Sequence, residues 1–232
     1  MSNIILSPHF DDAVFNCFSI IQKSSTTVVT VFAGSPDKNI HTVWDRICHE
    51  SNSSKMVAKR EVENKNALRI TKTKNINLEF LDAQYRTTKD DLDGLYREIK
   101  KIIPTGSTVY VPLAMSTLFA HPDHVLIRDI GLKLIEHDIA VFFYPDQPYM
   151  RLWSKSKLRK PKLTKLTNKF AYQLNQNLQY RVERFKKDEL ALKKMAMHKY
   201  QSQYFYTNLF SANGLNRILR QRYELFFEVV KS

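Results

Sequence analysis

An apolar run, Ile4-Ile5-Leu6, gives way at once to Ser7-Pro8-His9-Phe10-Asp11-Asp12. A buried strand normally leaves through Gly, Asn or Ser. An imidazole and two adjacent carboxylates within four residues are costly in water-poor surroundings, and a metal ion is a partner that compensates them. A second cluster of the same kind stands at Ala120-His121-Pro122-Asp123-His124-Val125, again shortly after an apolar stretch. Imidazole and carboxylate are ligand types that catalytic zinc takes, with three protein ligands and one position left for water. Either cluster alone has an ordinary explanation. A lone histidine at a strand end is usually a hydrogen-bonded structural residue, and adjacent acids before a helix are usually caps and dipole partners. Two such clusters at equivalent strand ends of one sheet point to a metal site, provided that the intervening elements bring those ends together.

The first 150 residues alternate between two periodicities. Apolar runs at Asn3–Ser7, Thr27–Ala33, Asn77–Asp82, Ser107–Leu113 and Ile139–Tyr144 read as strands, several without alternation, as expected where both faces are covered. Helical patterns fall between them at Ala13–Lys23, Ser54–Ile70, Lys89–Ile103 and Val125–Glu136, with serine and asparagine caps before the second and Thr87-Thr88 before the third. Strand, helix, strand, repeated, predicts an α/β, Rossmann-like three-layer fold with a mainly parallel sheet. The five glycines, at 34, 94, 106, 131 and 214, build neither GxGxxG nor GxxxxGK[ST]. The usual dinucleotide and nucleoside-triphosphate sites of such folds are therefore excluded, and the chemistry is expected at the carboxyl ends of the strands.

After Pro148 the pattern breaks. From Arg151 to Tyr200 the local net charge is +12, nearly all of the +13 carried by the 232 residues. The stretch RLWSKSKLRKPKLTKLTNKF has eight basic residues and no acid. It favours an anionic partner, or it is a solvated basic face. AYQLNQNLQYRVERF suggests one or two short strands, followed by helices near Asp188–Tyr200 and Leu215–Val230. With no Gly-, Ser- or Pro-rich linker, residues 1–232 are expected to form one domain, a core over 1–150 and a basic, mostly helical C-terminal extension over 151–232 packed on it. No apolar stretch approaches the roughly 18 residues that span a bilayer. No secretory pattern opens the chain. Cys17 and Cys48 build no disulfide framework, so a cytoplasmic location is expected.

SPHFDDA together with HPDHV resembles the signatures of the PIG-L (LmbE-like) deacetylases, roughly [AS]-P-H-x-D-D-[AE] and H-x-D-H. The similarity extends to VTVFAG at the second strand, to the helix AKREVENKNALRI with Arg60 and Glu61, and to YPDQPY after the fifth strand. It continues in KKMAMHKYQSQ and YELFFEV near the end. The resemblance implies one Zn2+ per chain, or another divalent metal, held by His9, Asp12 and His124. It implies Asp11 as general base, His121 as the charged or hydrogen-bonding partner of the substrate carbonyl, and Asp123 as the residue that tunes His121. It implies an amidohydrolase acting on linear amides, removing acetyl from an N-acetylated amino sugar such as an N-acetylglucosamine conjugate. Arg60, Phe119 and Tyr149 are the candidate substrate-binding residues. Some members carry tyrosine where this chain has Phe119, which cannot donate a hydrogen bond, and Tyr149 is the candidate replacement donor. Phe10 stands where proline is common.

The basic segment suggests a phosphate-bearing or lipid-linked conjugate, with peripheral membrane contact and homo-oligomerisation left open. Two other readings compete: hydrolysis or hydration of a non-sugar substrate on the same metal scaffold, and a basic nucleic-acid or membrane-surface binding protein without activity. The last is disfavoured because every inferred ligand is intact.

Overall fold

The computed structural model describes residues 1–37, 40–88, 91–115, 120–147, 159–203 and 214–230. Its strands are β1 (Asn3–Ser7), β2 (Thr26–Thr30), β3 (Lys74–Asn77), β4 (Thr108–Pro112), β5 (Ala140–Tyr144), β6 (Leu178–Arg184) and β7 (Tyr223–Val229), in the spatial order β3-β2-β1-β4-β5-β7-β6. The first five are mutually parallel, and β7 runs antiparallel to both β5 and β6. The described helices are α1 (Asp12–Asn16), α2 (Phe18–Ile21), α3 (Val43–Ile47), α4 (Ser53–Arg69), α5 (Leu92–Ile102), α6 (Pro122–Glu136), α7 (Lys160–Leu174), α8 (Lys187–Met197) and α9 (Gly214–Arg220).

Alternate residues of β1, β2, β4, β5 and β7 feed two separate cores. Ile5, Val28, Tyr110, Phe142 and Phe226 pack under α1, α2, α4, α8 and α9. Ile4, Leu6, Val29, Val109, Val141, Phe143 and Phe227 pack under α5, α6 and α7. With apolar residues required on both faces, these five strands carry no alternation, whereas the edge strand β6 alternates. This is the three-layer arrangement that the sequence predicts. From β1 the chain winds outward through β2 and β3, then returns to lay β4 on the other side of β1. The crevice between the ends of β1 and β4 is therefore the point where the strand order reverses, the usual ligand position in an open α/β sheet.

Several expected elements differ. The helix predicted over Ala13–Lys23 is broken at Cys17 into α1 and α2, because the Glu224 carboxylate of β7 accepts hydrogen bonds from Phe18 N (2.9 Å) and Ser19 N (2.8 Å) and caps a new helix start. The strand predicted at Asn77–Asp82 pairs earlier, over Lys74–Asn77. Helix α5 starts after Asp91, whose side chain accepts from Gly94 N, rather than after Thr87-Thr88. The helix predicted at Leu215–Val230 is α9 followed by β7.

Among the described residues beyond 150, β6 and β7 complete the sheet, and α7, α8 and α9 bury side chains in its two cores. Helix α7 buries Leu163, Thr167, Phe170 and Leu174 on one side and leaves Lys162, Lys165 and Lys169 exposed on the other, with Lys160 exposed at its first turn. Since β6 runs in the same direction as β5 and follows α7 closely, α7 begins at the carboxyl end of the sheet. No described helix is long and apolar enough to cross a membrane.

Candidate metal centre

The loop leaving β1 turns sharply into α1. Ser7 Oγ bonds the His9 carbonyl (2.6 Å) and accepts from Ala13 N (3.0 Å), while Asp12 Oδ2 accepts from His9 N (2.8 Å). These contacts fold His9 and Asp12 onto one side of the turn. In the crevice wall opposite, α6 starts with His121 as its N-cap and Pro122 in the first turn, which places His124 and Asp123 on the buried side of that turn.

The two junctions meet. His9 Nδ1 lies 3.3 Å from Asp12 Oδ2, and His124 Nε2 lies 3.4 Å from the same oxygen. A tetrahedral cation with bonds of about 2.0–2.1 Å separates its ligand atoms by about 3.3–3.4 Å, so both contacts have the span of ligand pairs. The ligand atoms of His9, His121 and His124 also fall within 4.8 Å of one another, as do those of His9, Asp82, His121 and Asp123. Around these imidazoles converge the carboxylates of Asp11, Asp12, Asp82, Asp123 and Asp146. The guanidinium groups facing them are Arg60, 3.6 Å from Asp11 and 3.8 Å from Asp82, and Arg86, 2.5 Å from Asp123. With neutral imidazoles the five carboxylates outnumber the two guanidinium groups, and nitrogen with carboxylate oxygen is the donor set that a divalent cation of the zinc type takes. The residues present fit such an ion.

Protonation follows the same deficit. Burial opposes charge on His9, yet Asp82, Asp12 and Asp123 outweigh it and hold His9 well above the usual imidazole value. Burial is likewise outweighed for His124, which Asp12 and Asp146 raise to about 9. Asp12 stays well below the usual carboxylate range because His124 and His9 overcome its burial. Asp11 moves the other way: burial and the neighbouring Asp12 push it up, with Arg60 opposing. His121 falls to about 4 through burial and the positive charge of His9 and His124. Its Nδ1 accepts from Asp123 N (3.3 Å), which leaves the proton of the neutral ring on Nε2.

Access separates these residues. His9, Asp12 and His124 are buried, whereas the His121 side chain is 27% exposed and that of Asp11 13%. His121 and Asp11 are therefore more exposed than His9, Asp12 and His124. Asp123 stands against both imidazoles, with Oδ2 3.0 Å from His9 Nε2 and 3.7 Å from His121 Nδ1. Arg60 is brought to the site edge against Asp11, over the Phe10 ring. Phe119 and Tyr149 lie outside the described residues.

Sequence reasoning missed Asp82, Arg86 and Asp146 as members of the site. Asp82 and Asp146 each stand just after an apolar stretch, in NLEFLD and VFFYPD, the same signal that singled out SPHFDD. Arg86 has no such marker. It is held by the Leu81 carbonyl (2.8 Å) and stacks over Phe32.

Residues 4–135 match the PIG-L family, described as GlcNAc-PI de-N-acetylase. The chain is 25% identical over 183 residues to a 2'-N-acetylparomamine deacetylase of Niallia circulans, an alignment covering 63% of this chain and 66%, just under two thirds, of that protein. Among solved structures, the zinc-inhibited form of teicoplanin deacetylase Orf2 superposes with a TM-score of 0.75 at 21% identity, over 100% of this chain and 99% of that one. The A40926 pseudoaglycone deacetylase Dbv21 gives 0.70 at 22% identity, over 99% and 97%.

Proposed function

Since the chain belongs to the PIG-L family of de-N-acetylases, we propose that it is a metal-dependent amidohydrolase that removes acetyl from an N-acetylated amino sugar, with one zinc ion held by His9, Asp12 and His124. The observation that carries the reading is the convergence of His9 Nδ1 and His124 Nε2 on a single oxygen of Asp12, at the reversal point of the sheet. When bound there, a divalent cation supplies Lewis acidity, acidifying water and stabilising oxyanion charge.

The chain's own residues do the rest. Asp11 receives the proton of the attacking water, and its raised affinity for a proton suits a group that must hold it and return it to the leaving amine. His121, neutral and protonated on Nε2, donates to the acetyl oxygen as charge develops there. A neutral ring replaces the charged one allowed by the sequence, because three imidazoles and a cation cannot all carry positive charge in one buried cluster. Arg60 holds Asp11 by charge at the edge of the site and is there to meet the substrate. Asp123 fixes the His9 ring. The lysine side of α7, which starts at the carboxyl end of the sheet, suits a phosphate-bearing aglycone. The free, buried Cys17 and Cys48 suit a reducing cytoplasm.

The test couples metal analysis of the purified protein to acetate release from free, nucleotide-linked and lipid-linked N-acetylhexosamines. One metal per chain and acetate from at least one conjugate are expected. A folded protein with no metal affinity below micromolar would overturn the reading.

A further inference from the structure

We infer that Asp146 is the positioning residue for His124, holding the ring through Nδ1 so that Nε2 points at Asp12. The inference rests on the reading of His9, Asp12 and His124 as ligands. Asp146 stands just past β5 and is fully buried, as is His124. Its two oxygens have separate tasks. Oδ1 accepts from Ala114 N at 3.1 Å, just beyond β4, where Ala114 takes a left-handed backbone (φ 46°) that turns its N–H inward. Oδ2 faces His124 Nδ1 at ion-pair distance, 3.3 Å, and makes no hydrogen bond among the described residues. One carboxylate thereby ties the ends of β4 and β5 together and still keeps an oxygen for the imidazole.

The loop is fixed from the other side by Asn16 of α1. Asn16 Oδ1 accepts from Gln147 N (2.9 Å), and Asn16 Nδ2 donates to the carbonyls of Asp12 (3.0 Å) and Gln147 (3.4 Å). Asp146 is thus locked to the same short helix that presents Asp12. A histidine that binds a cation through Nε2 must keep its proton on Nδ1, and a carboxylate accepting that proton sets both tautomer and ring rotation. His9 has the matching support from Asp123, whose oxygen lies 3.0 Å from Nε2. The two imidazoles are therefore each held by a buried carboxylate on the side away from Asp12.

Asp146→Asn tests this sharply, because an amide offers one acceptor oxygen to two N–H groups. Metal affinity, measured by competition with a zinc-chelating indicator, should fall about 10–100-fold, with thermal unfolding of the metal-free variant recorded beside it. Wild-type protein that binds zinc while Asp146→Asn binds it within twofold would overturn the inference and leave the functional reading standing. A residue serving only the Ala114 turn would give that result, with a lower unfolding temperature alone. Wild-type protein that binds no zinc would overturn both. Nitrogen-15 spectra of the histidine rings in zinc-loaded wild-type protein give a readout independent of any variant's folding. They should place the His124 proton on Nδ1, and a proton on Nε2 would refute the arrangement.

Discussion

The acid cluster between β1 and β4 and the lysine side of α7 are both concentrations of one charge, and burial makes them opposites. In the cluster five carboxylates meet behind a crevice, water is largely removed, and protonation equilibria move far from their ordinary values. On α7 the lysines project into solvent, where exposed charges are screened over ~8 Å at physiological ionic strength. The linear sequence advertises the second far more loudly than the first. What separates them is convergence: residues from the four loops that follow β1, β3, β4 and β5 share one buried volume in the first case, and one helix face turns outward in the second. Lys193 sharpens the contrast. It comes from the same basic half of the chain but is buried, donating to Glu224 (2.6 Å) and to the Phe15 carbonyl (3.0 Å).

If the contrast holds, the largest effect belongs to Asp12→Ala, which removes the oxygen that both imidazoles share. Metal content measured by elemental analysis should drop from one per chain to background and acetate release should vanish, while the variant remains folded by circular dichroism. Asp11→Asn should keep the metal and lose ~10²–10⁴-fold in turnover. A loss of only a few-fold would mean that another group takes the proton. His121→Ala should keep the metal and lose on the order of 10²–10³-fold in kcat.

The metal-free protein should also show the cluster in its pH dependence. His124 binds its proton more tightly folded than unfolded, so the stability it contributes is complete below pH ~6.5 and is lost as pH rises through about 9. Thermal unfolding of the metal-free form should therefore move to lower temperature between these limits. Zinc affinity should rise over the same interval as protons leave the ligands.

Smaller effects belong to the tail. Lys193→Met leaves Glu224 without its cation and should cost about 3 kcal/mol in urea unfolding. Substituting Arg159, Lys160 and Lys162 together with Gln should leave stability and the kinetics of a neutral N-acetylhexosamine unchanged. KM for a phosphate-bearing substrate should rise by on the order of tenfold at most, and added salt should mimic the substitution. Equal KM values with and without phosphate, before and after substitution, would reduce the α7 face to solvation.

The sheet core and both polar clusters were legible because their signals are local. β1 is bounded as expected at Asn3–Ser7, and its exit loop carries its ligand types within a few residues. What failed depended on distant partners. YELFFEV has no alternation, since Leu225 and Phe227 face one core and Phe226 the other, and its apolar run after Leu215-Asn216-Arg217 reads as helix. The lysines of α7 conceal the spacing of Leu163, Thr167, Phe170 and Leu174, which is plainly helical once the burial is known. The break at Cys17 needs Glu224, some two hundred residues away, and no local pattern announces it. Asp146 differs: it lies in YPDQPY, a segment of the family resemblance, but nothing in that segment says that its carboxylate faces His124.

The place of β7 between β5 and β6 has a kinetic consequence. Chains are made from the amino terminus, and domains begin to organise as they emerge. The five parallel strands can pair in turn, but β5 must keep an open edge until β7 arrives, and β6 has no neighbour in the sheet without it. Glu224, which divides α1 from α2, arrives on the same strand. Until then β5 offers an unpaired apolar edge, Val141 to Tyr144, of the kind that recruits strands from other molecules. Aggregation of nascent or truncated chains should thus be governed by how quickly the last strand reaches the middle of its sheet.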